Sequence, residues 1–310
     1  MTIHIGILGG GNISQTHARA TRDIDGVEIT AICGQNVEKV TRLAKAYGGS
    51  VYDNLNGFFR HKPMEIVLIG SPSGLHSEHG IAAAHQGLHV LIEKPIDITV
   101  DRADALIAAC ENARVKLGVF FQDRVSSDFM KLRELIDSGK LGNPVLMSAR
   151  IKWYRSPEYY EQSRWRGSWA LDGGGALMNQ GIHTVDLLLW LLGDIVSVQA
   201  RAITALHDIE VEDTVVASLE FSSGAVGTLE VATSVYPGYP RRVELTWSEG
   251  TIVLENDRVV SADLRTPISE FTSQEAECGD DGSNTPVISD TRRHKTIIED
   301  FIRAVETNGT

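Results

Sequence analysis

Short apolar runs alternate with amphipathic stretches through the first part of the chain. Residues 2–8, 27–33, 65–69, 88–92 and 115–120 are rich in Val, Ile and Leu and are bounded by turn residues, the pattern of buried strands. Between them, residues 13–22, 37–46, 75–86 and 100–112 repeat apolar positions at helical spacing. Strands and helices in alternation predict βαβ units, with a parallel sheet covered by helices on both faces. This α/β region ends near Gln122.

The pattern then changes to that of an α+β region. A helix is expected over 127–138, stopped by Gly139, and a long strand over 143–153. Three glycines at 173–175 lead into a helix that runs to about 192 and stops at Gly193. Alternating segments follow at 195–206, 213–221, 225–234, 241–248 and 251–255. Ser222-Ser223-Gly224 and Glu249-Gly250 read as hairpin turns, so this sheet is expected to be mostly antiparallel. Residues 267–290 are polar and irregular and read as a mobile loop, and 297–306 as a final helix. Two domains are expected, 1–122 and 123–310.

Composition narrows the classes. The chain has 310 residues, and its 42% hydrophobic and 23% charged residues suit a globular enzyme. A net charge of −12 argues against nucleic acid or an anionic membrane as partner. Cys33, Cys110 and Cys278 form neither a metal pattern nor an even disulfide framework, so a reducing, cytoplasmic setting is expected. The first residues already read as a strand rather than a signal peptide. The longest apolar stretch, near 185–192, is too short to span a bilayer. His76 and His79 lie three apart without the carboxylates or cysteines that would complete a metal site, and none is expected.

Four stretches carry candidate chemistry. Gly9-Gly10-Gly11-Asn12-Ile13-Ser14 follows the first strand and opens a helix, matching G-x-G-x-x-G/A except for Ser14. Glycines there admit a pyrophosphate against backbone N–H groups at a helix start. Gly9, Gly11, Asn12 and Ile13 are therefore candidate contacts to a dinucleotide; a plain flexible turn is the alternative. The second strand ends in Cys33-Gly34-Gln35-Asn36, with neither the carboxylate that reads a ribose 2′-hydroxyl nor an arginine for a 2′-phosphate. Gln35 is the candidate contact, and NAD and NADP both stay open.

Glu93-Lys94-Pro95 follows the 88–92 strand, at the carboxyl end where open parallel sheets bind ligands. A lysine there can donate to a substrate hydroxyl, and Pro95 restricts its direction. The fourth stretch, Asp172 to Asp186, places Asn179, His183 and Asp186 at helical spacing behind the three glycines. That is either a site or a core helix with one satisfied histidine. Upstream lie Tyr154, Arg155, Tyr159, Trp165 and Arg166. Rings of this kind stack on sugar faces and arginine forks bind carboxylate or phosphate, so the strip reads as a substrate loop or an intersubunit interface.

Together, Gly9–Ser14, Ser71-Pro72-Ser73-Gly74-Leu75-His76, Glu93-Lys94-Pro95, Gly173–Asp186 and the tail from His294 to Phe301 resemble the Gfo/Idh/MocA family of NAD(P)-dependent oxidoreductases. The resemblance implies an N-terminal Rossmann doubly wound sheet and a C-terminal domain on a large open sheet. It implies hydride transfer between NAD or NADP and a hydroxyl or keto carbon of a sugar, sugar nucleotide or polyol. A homodimer or homotetramer through the open sheet is also implied. Lys94 matches the family lysine, and His183 the histidine that exchanges a proton with the substrate hydroxyl. Ser71, Ser73, His76 and Glu93 fall on the cofactor side, with Ser73 where Asn is common. Asn179 stands where many members carry Asp; it can orient a substrate but takes no proton. The run 178–183 looks like a subgroup acting on hexoses and nucleotide-linked amino sugars or uronates. Members usually continue through one more helix past the Phe301 region. An NAD-dependent glycoside hydrolase or lyase oxidising C3 transiently, and a non-catalytic ligand-binding member, remain open on the same scaffold.

Overall fold

The computed structural model describes residues 2–163, 165–267 and 290–309. The first elements are β1 (Ile3–Leu8), α1 (Asn12–Arg22), β2 (Val27–Cys33), α2 (Val37–Tyr47), β3 (Ser50–Tyr52) and α3 (Leu55–Phe59). Then come β4 (Ile66–Ile69), α4 (His76–Ala84), β5 (His89–Ile92), α5 (Val100–Ala113) and β6 (Leu117–Val119). They are followed by α6 (Ser127–Asp137), β7 (Pro144–Lys152), α7 (Pro157–Glu161), α8 (Ile182–Leu192), β8 (Ile195–Ile203) and β9 (Thr214–Phe221). The chain continues through β10 (Val226–Ala232), β11 (Arg242–Trp247), β12 (Gly250–Glu255), β13 (Arg258–Leu264) and α9 (Arg292–Thr307). Most of the expected mobile loop, residues 268–289, lies outside the described residues.

Among the described residues the chain divides into two compact units. One holds residues 2–122, 170–173 and 290–309; the other holds 123–169 and 174–267. In the first, six strands lie in the order β3-β2-β1-β4-β5-β6, every neighbouring pair parallel. Such strands need apolar side chains on both faces, and all four residues of β4 are buried. Ile5, Ile7, Ile66, Leu68 and Leu91 pack on one side with Ala18, Ala20, Val40 and Leu43. Val67, Ile69, Val90 and Ile92 pack on the other with Phe58, Ala83, Leu106 and Cys110. This is the doubly wound sheet expected from the strand–helix alternation.

The first unit departs from the sequence reading in two ways. β3 and α3 were not anticipated, because three and five residues are too short to show a periodicity. The final helix, assigned by sequence to the second domain, belongs here instead. Ile298, Phe301 and Ile302 recur at i, i+3 and i+4 and join the core beside Ile5 and Leu91. Burying each contributes roughly 1.5–3 kcal/mol, enough to fix the helix on this sheet. Gly118 of β6 makes room for it: a Cβ there would stand 2.8 Å from Phe301 Cδ2.

The second unit is a seven-stranded sheet in the order β13-β12-β11-β7-β10-β9-β8. Its pairs are antiparallel except β7 with β10, which run parallel from Leu146↔Val226 to Lys152↔Ala232. A run of hairpins alone would not show that pair, because β7 is separated from β10 by α7, α8 and two strands. β13 was also not anticipated. One face is packed by α6 and α8: Phe129, Leu132, Leu187, Leu188 and Leu191 lie on Met147, Ala149, Leu219, Leu229 and Leu245.

Asp213, at the start of β9, anchors the connection from β8. Its buried carboxylate accepts from the N–H groups of Ala205, Leu206 and His207 at 2.8, 2.8 and 3.0 Å, from Thr214 Oγ1 at 2.9 Å and from His207 Nδ1 at 3.0 Å. Burial alone would raise its pKa, but these donors outweigh it and hold the carboxyl below its ordinary value. A depressed folded-state pKa stabilises the fold above the unfolded value of about 3.9 and ceases to do so as pH falls through the folded value. Replacing Asp213 by Ala strands several buried donors and is expected to cost about 3 kcal/mol in urea melts at pH 7. That cost should shrink below about pH 4; an equal cost at pH 7 and pH 3 would refute this account of the site.

Candidate active site

The glycine turn stands between β1 and α1. Gly9 has φ +137°, and a Cβ there would lie 2.4 Å from Ser14 Oγ and 2.8 Å from Gly70 O. Gly70, after β4, would bring a Cβ 2.9 Å from Ile13 Cγ2. Glycine at 9 and 70 therefore explains how Ser14, fully buried, can occupy a position that normally takes Gly or Ala. Gly11 is the N-cap of α1, and nothing lies within 4 Å of its Cβ position. The first turn of α1 carries no acidic residue. An open approach to uncompensated N–H groups fits a pyrophosphate. Asn12 and Ile13 are the first residues of that helix.

At the end of β2 the side chain of Asn36 caps α2, accepting from Lys39 N at 3.0 Å. Gln35 is exposed beside it. No carboxylate follows β2, as the sequence indicates; the neighbouring strand of the sheet, β3, ends beside it. Cys33 pairs with Tyr52, and Gly34 N–H donates to Tyr52 O at 3.3 Å. Asp53 thus stands at the neighbouring strand end, where, after burial itself, its charge helps push the Cys33 thiol up to about 11.

Ser71, Ser73 and His76 lie between β4 and the start of α4. The His76 ring is buried, with Nδ1 2.7 Å from Pro95 O and Nε2 2.9 Å from Ser71 O. Burial holds the imidazole below its ordinary pKa despite these contacts and the nearby Glu93 and Asp97. A neutral ring donates to one carbonyl at a time. Its position braces the peptide that follows Lys94 against the one that follows β4. Ser71 Oγ meets His79 Nδ1 at 2.9 Å, and Ser73 is buried in a short 3₁₀ turn. Asp97 adds a second brace, accepting from Ser77 N, Ile98 N and Arg102 Nε at 2.7–2.8 Å. Lys94, held between these, is half-buried. Glu93, expected on the cofactor side, instead turns into the interior and accepts from His17 Nε2 at 2.9 Å. The three glycines at 173–175 divide their work. Gly173 (φ +77°) belongs to the first unit, where a Cβ would stand 2.4 Å from Ile98 Cβ. Nearby, Gly74 N–H donates to Leu171 O at 2.8 Å.

Gly175 belongs to the second unit, where a Cβ would fall 1.7 Å from Glu212 O. Glu212 closes the start of the helical run. Its carboxylate accepts from Gly175 N and Leu177 N at 2.9 and 3.0 Å, and its carbonyl from Ala176 N at 2.8 Å. The run opens as a π-turn over Leu177–Gly181, a feature found often at functional sites, and continues as α8. Asn179 lies in the π-turn and His183 in the first turn of α8; both are half-buried.

Asp186 is taken elsewhere than toward His183. Arg124 donates to both its oxygens, at 2.7 and 2.5 Å. Burial keeps this carboxyl above its usual range even so, with Asp123 adding to the rise. Thr184 is held by Arg241 Nη1 at 3.3 Å, and the buried Arg241 pairs with Asp123 at 2.7 Å and with Asp257. Two arginines therefore hold α8 in the turn that follows His183. No linear pattern reveals Glu212, Arg124 or Arg241, because their partners lie 35 to 62 residues away in sequence.

Four residues of the aromatic and basic strip, Arg155, Tyr159, Trp165 and Arg166, gather into one cluster. Arg155 is buried, its guanidinium 5.2 Å from the Trp153 ring and 5.6 Å from the Tyr159 ring. Arg166 lies 4.3 Å from the Tyr159 ring and 5.2 Å from that of Trp165. Burial, with the charge of Arg166 adding, lowers the Arg155 pKa against the opposing effect of Tyr159 and Tyr160. Tyr154 stands apart, bridged to Ser234 and packed edge-on against Tyr236 at 5.2 Å.

Known proteins match both units. Residues 3–121 fit the oxidoreductase family with an NAD-binding Rossmann fold, and residues 129–253 fit the GFO/IDH/MocA C-terminal domain. Inositol 2-dehydrogenase of Rhizobium meliloti (strain 1021) is 27% identical over 319 residues, covering 99% of this chain and 89% of that protein. The WlbA dehydrogenase from Bordetella pertussis, solved with NADH and UDP-GlcNAcA, is 32% identical with a TM-score of 0.83. That match covers 86% of this chain and 83% of the other. The Chromobacterium violaceum WlbA dehydrogenase, solved with the same two molecules, gives 25% identity and a TM-score of 0.84 over 99% and 95%. With the doubly wound sheet, the glycine turn and the two matched domains in place, the chain belongs to the Gfo/Idh/MocA family of NAD-dependent oxidoreductases.

Proposed function

We propose that Lys94 and His183 are the catalytic residues of a dehydrogenase acting on a sugar, sugar nucleotide or polyol. The observation that carries this reading is the placement of Lys94. It follows the carboxyl end of β5 in a sheet of this strand order, where ligands bind, and the segments on both sides of it are braced. A nicotinamide dinucleotide held at the glycine turn would supply the hydride acceptor. As the substrate carbonyl forms, the hydroxyl proton passes to the His183 imidazole, which can accept it at a ring nitrogen. The Lys94 ammonium stabilises the developing alkoxide. Asn179 orients a hydroxyl and takes no proton. Gly9, Gly11, Asn12, Ile13, Gln35, Ser71, Ser73 and His76 serve the cofactor, His76 by holding the Lys94–Pro95 segment. Asp53 would meet a 2′-phosphate with like charge and so favours NAD.

The cluster around Tyr159 favours a substrate with an anionic group. Arg155 and Arg166 bring two guanidinium groups to one ring, and carboxylate and phosphate are what such forks bind best. UDP-GlcNAcA in the two WlbA structures carries both. Tyr159 and Trp165 supply ring faces for the sugar. The open face of the seven-stranded sheet supports self-association. Exposed Leu146, Val216 and Val226 share it with the ion pairs Lys152–Glu230 at 2.6 Å and Arg150–Glu244 at 3.0 Å.

A panel of sugars, inositols and UDP-sugars, read by absorbance of the reduced nicotinamide, tests the reading. Steady turnover is expected with NAD in preference to NADP, and Lys94→Ala and His183→Ala should each lower kcat by roughly 10²–10⁴. Full activity in both variants would end the assignment, and turnover without net NADH would indicate the hydrolase or lyase chemistry. Arg166→Ala should raise KM roughly 10–100-fold for uronates or nucleotide sugars while leaving neutral polyols unchanged; an equal effect on both classes would remove the anion-binding role. Light scattering should give a dimer or tetramer, dissociated by Leu146→Glu with Val226→Glu; a monomeric wild type refutes the interface.

A further inference from the structure

Glu93 is the ionisable group at the strand end that the proposed chemistry leaves without a task. It stands between the last residue of β5 and Lys94, is 8% exposed, and accepts from His17 Nε2 at 2.9 Å. His17, fully buried, comes from α1, one turn past the glycine turn. Its ring stacks on Phe120, with centroids 4.5 Å apart and planes 17° apart. The ring of His294, on α9, lies 6.1 Å from that of His17 and 5.6 Å from that of Phe120. Backbone bonds lock the same place: Glu93 N–H donates to Ile69 O and Phe120 N–H to Ile92 O, both at 2.9 Å. Elements α1, β4, β5, β6 and α9 thus meet behind Lys94.

A carboxylate this deep is costly unless donors and cations surround it. The groups facing it are His17 of α1, His294 of α9, His76 of α4 and Lys94 itself. Burial alone would raise its pKa. The His17 hydrogen bond and the charges of His17, His294 and Lys94 outweigh burial and bring the carboxyl down to about 2. Interactions between two titrating groups are reciprocal, so an ionised Glu93 favours the ammonium form of Lys94.

We propose that Glu93, held by His17 within a cluster completed by Phe120 and His294, is a positioning residue that fixes the Lys94 backbone and keeps Lys94 charged, rather than a cofactor contact. The proposal rests on reading Lys94 as the alkoxide-stabilising group, but its test does not need a substrate. Trace acetylation of the full-length protein with acetic anhydride, followed across pH by mass spectrometry, reports the titration of Lys94. Glu93→Gln keeps the size and the acceptor but removes the charge. The Lys94 midpoint should fall by about one pH unit, while calorimetry gives an NAD Kd within about threefold of the wild type. Should Glu93→Gln not fold, Glu93→Met gives the same readout: it keeps the length of the side chain, removes the charge and moves the midpoint the same way. An unchanged midpoint overturns the proposal, as does a large loss of NAD affinity in Glu93→Gln, which would return Glu93 to the cofactor. If the midpoint moves but Lys94→Ala keeps full activity, the cluster stands and the catalytic reading of Lys94 fails instead.

Discussion

A parallel strand covered on both faces has no room for polar chemistry until it ends. That constraint organises the first unit. β4 is buried at every residue, and β5 from Val90 to Ile92. Glycines and polar side chains therefore appear where the strands stop: Gly9 after β1, Gly70 and Ser71 after β4, Glu93 and Lys94 after β5. Because the strands are parallel, all these ends lie at one edge of the sheet. The edge becomes a site for geometric reasons, before any particular residue is considered. What the particular residues add is rigidity. His76, Asp97 and Arg102 fasten the segment after β5 to the neighbouring helices, so a lysine with four rotatable bonds starts from a fixed backbone.

The second unit reaches the same end by other means. Its sheet is mostly antiparallel and offers no common edge of strand ends, so the histidine is placed by a helix. Helix starts leave orphan N–H groups, and Glu212 takes two of them while its own carbonyl takes a third. Further along, Arg241 on Thr184 and Arg124 on Asp186 hold the helix in the turn just past His183. Arg241 is buried among two carboxylates, an arrangement that is expensive to break and therefore fixes geometry more than it adds stability.

What sequence could show follows from range. The strands of the first unit, the glycine turn and the Lys94 segment are local patterns, and each was readable from a few consecutive residues. β3 was too short to read, and with it went the place of Asp53 beside the end of β2. The fate of Glu93 was also hidden, since a Glu-Lys dipeptide at a strand end reads as surface until His17, 76 residues earlier, is found against it. Asp186 showed helical spacing to His183, but spacing gives only a shared face, and Arg124 had the stronger claim on the carboxylate.

The three glycines at 173–175 show how one local signal can have two distant causes. A flexible turn would need only one of them. Gly173 sits against Ile98 with a positive φ, and Gly175 against the carbonyl of Glu212. The first contact lies in the unit that holds Lys94, the second in the unit that holds His183. A side chain at 175 would strike backbone, and one at 173 the branched base of the Ile98 side chain, so neither glycine can stand in for the other. The run is glycine-rich because two independently packed units each demand a residue without a Cβ within three positions of chain. That is a stricter condition than flexibility, and it explains why the glycines precede the helix that carries His183 rather than lying within it.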